Sequence, residues 1–168
     1  GKADVLLRNP DTGQWVVYLM GADGGMFNLP LDNDMAWQFE GAADFNGDNK
    51  SDVLLRNAST GEWSVTLLDG VSIIQTDAPP MESTLSFQLD SMVDYNGDGM
   101  ADILMHDATS ADYVLYFMDG VAVTSKVTQN AGVLEYLGSG DFNVDGMSDL
   151  VMRNSEDGSW MVYLMGAG

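Results

Sequence analysis

The stretch DYNGDGMAD, residues 94–102, recurs with small changes as DFNGDNKSD at 44–52 and as DFNVDGMSD at 141–149. All three copies carry oxygen-bearing side chains at their first, third, fifth and ninth positions. Such oxygens are the ligands that Ca²⁺ prefers, and the backbone carbonyl of the seventh residue can supply one more. Three acidic groups in so short a loop also repel one another unless a cation lies between them. The sequence therefore predicts three Ca²⁺-binding loops.

The predicted ligands follow from these positions. The three sets are Asp44, Asn46, Asp48, Lys50 and Asp52; Asp94, Asn96, Asp98, Met100 and Asp102; and Asp141, Asn143, Asp145, Met147 and Asp149. Lys50, Met100 and Met147 would contribute their backbone carbonyls. The segment 1–4 reads as the tail of a fourth copy, in which Asp4 alone cannot hold a cation. An EF-hand loop is excluded, because the position where it needs Glu holds Leu55, Met105 and Met152.

The loops recur every 47 to 50 residues, which indicates an array of supersecondary units. After each loop comes an apolar run, a short turn, and a second apolar run that begins with Trp15, Trp63, Tyr113 or Trp160. One run of variable sequence and one that leads into the next loop complete each unit. The runs are short and rich in Val, Ile and aromatic residues, which favours strands over helices. Four short antiparallel strands per unit, buried on both faces, predict blades of a β-propeller.

The repeated unit resembles the FG-GAP/VCBS repeat over essentially the whole chain. The motif behind the resemblance is Asp-Phe-Asn-Gly-Asp-Gly-x-x-Asp, followed by an apolar run, an Arg-Asn pair and a Gly-x-Trp turn. The resemblance implies a propeller whose blades hold Ca²⁺ between their first and second strands. It implies little about activity, because one fold serves many functions. Asn49 and Val144 stand where the repeat has Gly.

The predicted fold is therefore an all-β single array. Its repeats span about residues 1–48, 49–98 and 99–145, with a partial repeat at 146–168. About 14 strands make three and a half blades, and such an array leaves an unpaired edge and a bare blade face. We expect the propeller to be incomplete, or to be completed by self-association, since two copies supply seven blades. An open head-to-tail stack that forms a filament is the alternative.

Two further sequence positions recur in the units, one occupied by an aromatic residue and one by a basic residue. The pairs are Trp15 with Arg8, Trp63 with Arg56, and Trp160 with Arg153. One interpretation is that the Trp side chains anchor blade-to-blade packing and the Arg side chains pair with loop carboxylates. The other is that each pair forms an aromatic platform for a sugar ring. The third unit has Tyr113 and His106 at these positions, and its turn, residues 107–112, lacks the Gly and is expected to be looser.

Charge and composition narrow the function further. The net charge is −20, with 26 acidic and 6 basic residues, so we expect no nucleic-acid partner. No apolar stretch reaches transmembrane length, so we expect no membrane insertion. There is no cysteine for a disulfide or a thiolate metal site. No nucleophile, zinc or phosphate-binding motif is present, and the acids are committed to repeated loops, so we expect no enzyme activity. An extracellular or cell-surface location fits a domain that Ca²⁺ stabilises.

These observations predict a secreted Ca²⁺-binding propeller module for adhesion or for recognition of a glycan or protein ligand. One alternative is a structural repeat that assembles with its own copies into an oligomer or filament. Another is the non-catalytic propeller domain of a secreted polysaccharide-degrading enzyme.

Overall fold

The computed structural model describes residues 3–20 and 24–166. These residues contain fourteen β-strands and no helix. The strands are β1 Val5–Arg8, β2 Trp15–Tyr18, β3 Met26–Leu29, β4 Trp37–Ala43, β5 Asp52–Asn57, β6 Trp63–Asp69, β7 Ser72–Asp77, β8 Phe87–Val93, β9 Asp102–Asp107, β10 Asp112–Asp119, β11 Ala122–Asn130, β12 Leu134–Gly140, β13 Asp149–Asn154 and β14 Trp160–Tyr163. The prediction of an all-β fold is confirmed. Gly1 and Lys2 of the partial loop lie outside the described residues.

The strands form four antiparallel sheets in chain order. The first sheet is β1-β2-β3, the second β4-β5-β6-β7, the third β8-β9-β10-β11 and the fourth β12-β13-β14. Each predicted Ca²⁺ loop joins the first strand of a sheet to its second, as at β4–β5, β8–β9 and β12–β13. We refer to the loops at 44–52, 94–102 and 141–149 as loops 1, 2 and 3.

Apolar side chains on both faces of the strands explain why the sheets stack. Trp63 and Val65 of the second sheet, together with Phe45 of the loop between β4 and β5, pack with Ile103 and Met105 of the third sheet in one buried cluster. A second cluster joins the first and second sheets, and a third joins the third and fourth. At one edge β4 lies beside β8, and β8 lies beside β12. The core is therefore a series of layers between neighbouring sheets.

The three loops lie side by side and are linked through the backbone. The amide of Ala101 in loop 2 donates to the carbonyl of Asp44 in loop 1 (2.7 Å). The amide of Ser148 in loop 3 donates to the carbonyl of Asp94 in loop 2 (2.8 Å) in the same way. The eighth residue of each later loop thus binds the first residue of the loop before it.

The hairpin turn that follows each loop has one shape in all four sheets. Its last residue is left-handed, with φ near 75° at Gly13, Gly61 and Gly158 and φ of 58° at Ala111. The Ala111 amide donates to the Asp107 carbonyl (3.1 Å), just as the Gly13 amide donates to that of Asn9 (2.9 Å). The prediction of a looser third turn is wrong, because the hydrogen bond and the flanking strands impose the same geometry on alanine.

These turns provide a matched pair of substitutions. A Cβ built at Gly61 would lie 1.7 Å from the backbone oxygen of Ser83, so Gly61→Ala must displace the linker before β8 and adopt a strained φ. We expect a loss of about 2 kcal/mol or more, since a left-handed non-glycine residue alone costs about 1–2 kcal/mol. Ala111→Gly should instead stabilise the protein by up to about 1 kcal/mol. Denaturant unfolding of both variants measures this, and equal effects would contradict the explanation.

Candidate metal centre

The first carboxylate of each loop is surrounded by the amides of its own loop. In loop 2, Asp94 accepts hydrogen bonds from the amides of Asn96 (3.1 Å), Gly97 (2.6 Å) and Gly99 (2.8 Å). Gly97 and Gly99 are both left-handed, which turns their amides inward. Asp44 and Asp141 accept from their loops in the same manner. The acidic side chain at position 1 thus shapes the loop.

The residues at positions 3 and 5 close short side-chain turns. Asn96 Oδ1 accepts from the Asp98 amide (2.9 Å), and Asp98 Oδ1 accepts from the Met100 amide (2.8 Å). The second oxygen of Asp98 accepts from the Asn96 side-chain amide (2.9 Å). Such turns are favoured by Asp and Asn. Each of these oxygens keeps a lone pair beyond the hydrogen bond it makes, so they remain available to a cation.

Loop 1 differs because its seventh residue is a lysine. The Lys50 ammonium lies 3.4 Å from the Asp48 carboxylate and 3.0 Å from that of Asp69. Lys50 and Asp69 are exposed and Asp48 is only partly buried, so the pairs contribute little stability. They do place a positive charge of the chain itself beside the loop 1 carboxylates.

The ninth carboxylate has a structural role that the sequence analysis missed. Asp102 is fully buried, and its two oxygens accept from the amides of Tyr95 (2.9 Å) and Met118 (3.0 Å). Asp52 and Asp149 make the equivalent pair of bonds. Asp4 of the partial copy also accepts from an amide 16 residues later, that of Met20 (2.8 Å). This residue ties each loop to the end of the third strand of its own sheet.

Burial makes the ninth carboxylate of loops 1 and 2 costly to ionise. It raises the pKa of Asp102 to about 6, against the lowering effect of the hydrogen bonds from Met118 and Tyr95. The neighbouring carboxylates of Asp98 and Asp94 raise this pKa further. Burial raises the pKa of Asp52 as well. A nearby cation would offset this cost, because an opposite charge favours the ionised form.

The predicted oxygen ligands suit Ca²⁺ chemically, but they are not arranged as a complete metal site. All predicted ligands are oxygens, as a hard cation requires. Within residues 3–20 and 24–166, however, no group of three or more Asp, Glu, His or Cys side chains is arranged to hold a metal ion. In each loop the carboxylates at positions 1, 5 and 9 are instead turned toward backbone amides, from which they accept hydrogen bonds.

The repeated Trp and Arg residues form contacts between sheets. Trp15 and Trp63 are buried, and their indole N–H groups donate to the carbonyls of Asp32 and Glu82 (both 2.9 Å). The Arg8 and Arg56 guanidinium groups each lie 4.7 Å from the centre of the adjacent indole ring. These two indoles therefore pack between sheets, and their rings are covered.

The guanidinium groups of Arg8 and Arg56 bind backbone carbonyls of the next unit. Arg8 donates to the carbonyls of Trp37 and Asp34, the latter at 2.7 Å. Arg56 donates in the same way to those of Phe87 and Thr84 (2.9 Å to Thr84). The prediction that these arginines pair with loop carboxylates is wrong. Every residue has a backbone carbonyl, so residue types do not reveal these acceptors.

The third and fourth units differ. His106 is partly buried, and its Nδ1 lies 2.9 Å from both carboxylate oxygens of Asp90 on β8. The centre of its ring lies 5.6 Å from that of Tyr113, with the two ring planes tilted by 31°. In the last sheet, Trp160 is 65% exposed and lies opposite Arg153 in the strand register. Of the three predicted sugar platforms, the one formed by Trp160 and Arg153 has an accessible aromatic ring, whereas Trp15 and Trp63 are buried.

Comparison with known proteins gives no further assignment: neither a protein-family model nor a curated protein matches the chain. Among the residues that the structure describes, no helix is long and apolar enough to cross a membrane.

Proposed function

We propose that this chain is a non-catalytic, Ca²⁺-stabilised β-propeller module of the FG-GAP/VCBS type, which serves adhesion or recognition of a glycan or protein ligand outside the cell. The propeller is supported by the stacking of the four sheets and by the adjacency of β4, β8 and β12, which would be the innermost strands of consecutive blades. The Trp160 ring, exposed opposite Arg153, is a candidate platform for a sugar.

The Ca²⁺ proposal is supported by one observation above all. Each loop has a fully buried carboxylate at position 9 with further carboxylates at positions 1 and 5 of the same loop. Loops 2 and 3 have no Lys or Arg among their nine residues to balance these charges. A bound Ca²⁺ would supply that balance, with each loop drawing its carboxylates toward the ion.

Calorimetric titration with Ca²⁺ tests this proposal. We expect three sites in the wild type and two in Asp98→Ala, with Asp11→Ala, an exposed residue in the first hairpin turn, as the control that keeps three. At 100 times the dissociation constant each independent site adds about 2.7 kcal/mol of stability, so a chelator should lower the midpoint of thermal unfolding. Absence of binding, or three sites in Asp98→Ala, would refute the assignment.

Self-assembly is a second candidate function, and it is supported by exposed apolar residues on the first and fourth sheets. Val5 and Leu7 on β1 are 44% and 48% exposed, whereas the equivalent Val53 and Leu55 on β5 are buried against the first sheet. At the other end Val162 is 48% exposed, whereas the equivalent Val65 on β6 is buried against the third sheet. The end sheets thus expose the two halves of the interface that the chain repeats internally.

Light scattering over a range of protein concentrations tests self-assembly. We expect a dimer or a longer species, and Val162→Lys should shift it to monomer because it places a charge in an apolar contact. Ile74→Lys, at an exposed site on the second sheet, is the matched control. A compact wild-type monomer at every concentration would exclude this candidate.

A further inference from the structure

Two of the three linkers between sheets contain the same short motif. Pro30-Leu31-Asp32 lies between β3 and β4, and Pro80-Met81-Glu82 lies between β7 and β8. The middle residues, Leu31 and Met81, are buried in the clusters that join the neighbouring sheets. At these two contacts, the residue that follows a proline therefore inserts an apolar side chain between the sheets.

The peptide groups next to these buried residues are hydrogen-bonded to the sheets. The Glu82 carbonyl accepts from the Trp63 indole on the second sheet, and the Glu82 amide donates to the Tyr116 hydroxyl on the third sheet (both 2.9 Å). At the first contact, the Asp32 carbonyl accepts from the Trp15 indole in the same way (2.9 Å). Each linker is thus held both by an apolar side chain and by its backbone.

The third contact has no such linker. Residues 131–133 connect β11 to β12, whereas the longer segments 30–36 and 78–86 connect the sheets at the first two contacts, and the short linker contains no proline. Between the third and fourth sheets there is instead a cavity of about 510 Å³. Apolar and aromatic side chains form most of its wall, among them those of Leu104, Tyr113, Leu134, Leu150, Met152 and Tyr163.

The strand register shows that this cavity occupies the position of the buried linker residue. The six equivalent residues at the second contact are all buried in one cluster with Met81, and they are Leu54, Trp63, Phe87, Ile103, Met105 and Tyr116. Tyr116 is fully buried there, whereas its equivalent Tyr163 is 47% exposed. Large voids are rare in close-packed interiors, and an apolar cavity binds apolar groups. The third contact therefore lacks the apolar group that fills the second.

We propose that this cavity binds an extended segment of a partner protein in which a leucine or methionine follows a proline. The apolar side chain takes the position that Met81 has at the second contact, against Leu150 and Met152. The Tyr163 hydroxyl, which is equivalent to that of Tyr116, accepts from the amide of the next residue of the segment. Within the part of the chain that the structure describes, the Tyr163 hydroxyl forms no hydrogen bond, so this acceptor is available.

Two further features define the chemistry of the segment. The Tyr113 hydroxyl accepts from the Tyr136 amide (3.0 Å) and keeps its own hydrogen to donate to a carbonyl of the segment, as the Trp63 indole does to Glu82. The Glu82 carboxylate pairs with Lys126 (2.9 Å), whereas no Lys or Arg lines the cavity. Because the net charge is −20, we expect a neutral residue after the leucine or methionine.

Nuclear magnetic resonance titration with the peptide Nα-acetyl-Pro-Leu-Asn-amide tests the proposal. We expect saturable shifts at Tyr113, Leu150 and Met152, and at least about tenfold weaker binding of the peptide with serine in place of leucine, which corresponds to 1.4 kcal/mol. The alcohol 3-methylbutanol, which has the leucine hydrocarbon without peptide groups, should also bind more weakly. Equal binding of the two peptides would overturn the proposal. Equal binding of the alcohol and the leucine peptide would overturn it as well, because the cavity would then be a site for small apolar molecules.

Leu134→Trp is the matched control, because the equivalent residues of the first two contacts are Trp37 and Phe87. The larger side chain should fill part of the cavity and weaken binding of the leucine peptide by at least about tenfold. Tyr163→Phe removes the proposed acceptor at an exposed position, so it should weaken binding by several fold and keep the fold. Unchanged affinity in either folded variant would refute the site, so a misfolded Leu134→Trp protein would not leave the question open.

This inference rests on the proposed recognition function and gives it a class of protein partner. The three loops and the Trp160 ring lie outside the cavity wall. Leu134→Trp should therefore still bind three Ca²⁺ ions in the calorimetric titration. Failure of the peptide to bind and failure of Ca²⁺ to bind are thus separate results.

Discussion

Replacing Asp102 by alanine is expected to destabilise the protein by about 2–4 kcal/mol. The substitution leaves the amides of Tyr95 and Met118 buried without an acceptor, and each orphaned group costs about 1–3 kcal/mol. Removal of a carboxylate whose burial raises its pKa offsets part of this loss. Denaturant unfolding in excess chelator measures the effect without any contribution from metal binding.

The matched control for Asp102→Ala is Asp98→Ala in the same loop. Asp98 is exposed and accepts bonds from within its loop, so its loss in chelator should cost less than about 1 kcal/mol. The two variants therefore separate the structural carboxylate from the predicted metal ligand. If both variants lost equal stability in chelator, the hydrogen bond between Asp102 and the third strand of its sheet would not explain the loss in Asp102→Ala.

Trp63→Ala is expected to cost about 3–5 kcal/mol, the range for removing a buried tryptophan. Trp63 lies in the core between the second and third sheets, where its N–H binds the Glu82 carbonyl. Its loss also removes the ring on which the Arg56 guanidinium lies. Arg56 Nε is already buried without a hydrogen-bond partner. Loss of the ring would therefore leave the Arg56 guanidinium group with still fewer favourable contacts. Equilibrium unfolding measures the loss.

Trp160→Ala serves as the control, since the same repeat position is 65% exposed in the last sheet. At protein concentrations where the chain is monomeric, we expect a change below about 0.5 kcal/mol. A large loss of stability in Trp160→Ala would show that the Trp at this repeat position stabilises its sheet without packing against a following sheet. That result would contradict the description of the core as layers between neighbouring sheets.

The strands were predictable because their pattern is local and repeated. Apolar runs and Gly-containing turns recur at a constant spacing, and the structure has strands and turns where these patterns predict them. The position of each loop between the first and second strands of a sheet was implied by the resemblance to a repeat family, and the structure has the loops there. Stacking of the sheets follows from strands that are apolar on both faces.

The connections between distant backbone groups were not predictable. The bond from the Met118 amide to the Asp102 carboxylate joins residues 16 apart, and Arg56 donates to carbonyls about 30 residues away. Backbone amides and carbonyls are present at every position, so residue types do not reveal which ones are used. The left-handed Ala111 was missed for a related reason, because the turn is imposed by its hydrogen bond and flanking strands.

The backbone bonds between the loops have a consequence for how the array comes apart. In repeat arrays, stability is the sum of a term for each unit and a coupling term between neighbours. The bonds from Ala101 to Asp44 and from Ser148 to Asp94 strengthen that coupling at the edge where sheets meet. The second and third sheets are restrained by a neighbour on each side. Fraying should therefore begin at the first and fourth sheets and progress inward, with the middle of the array the last part to melt.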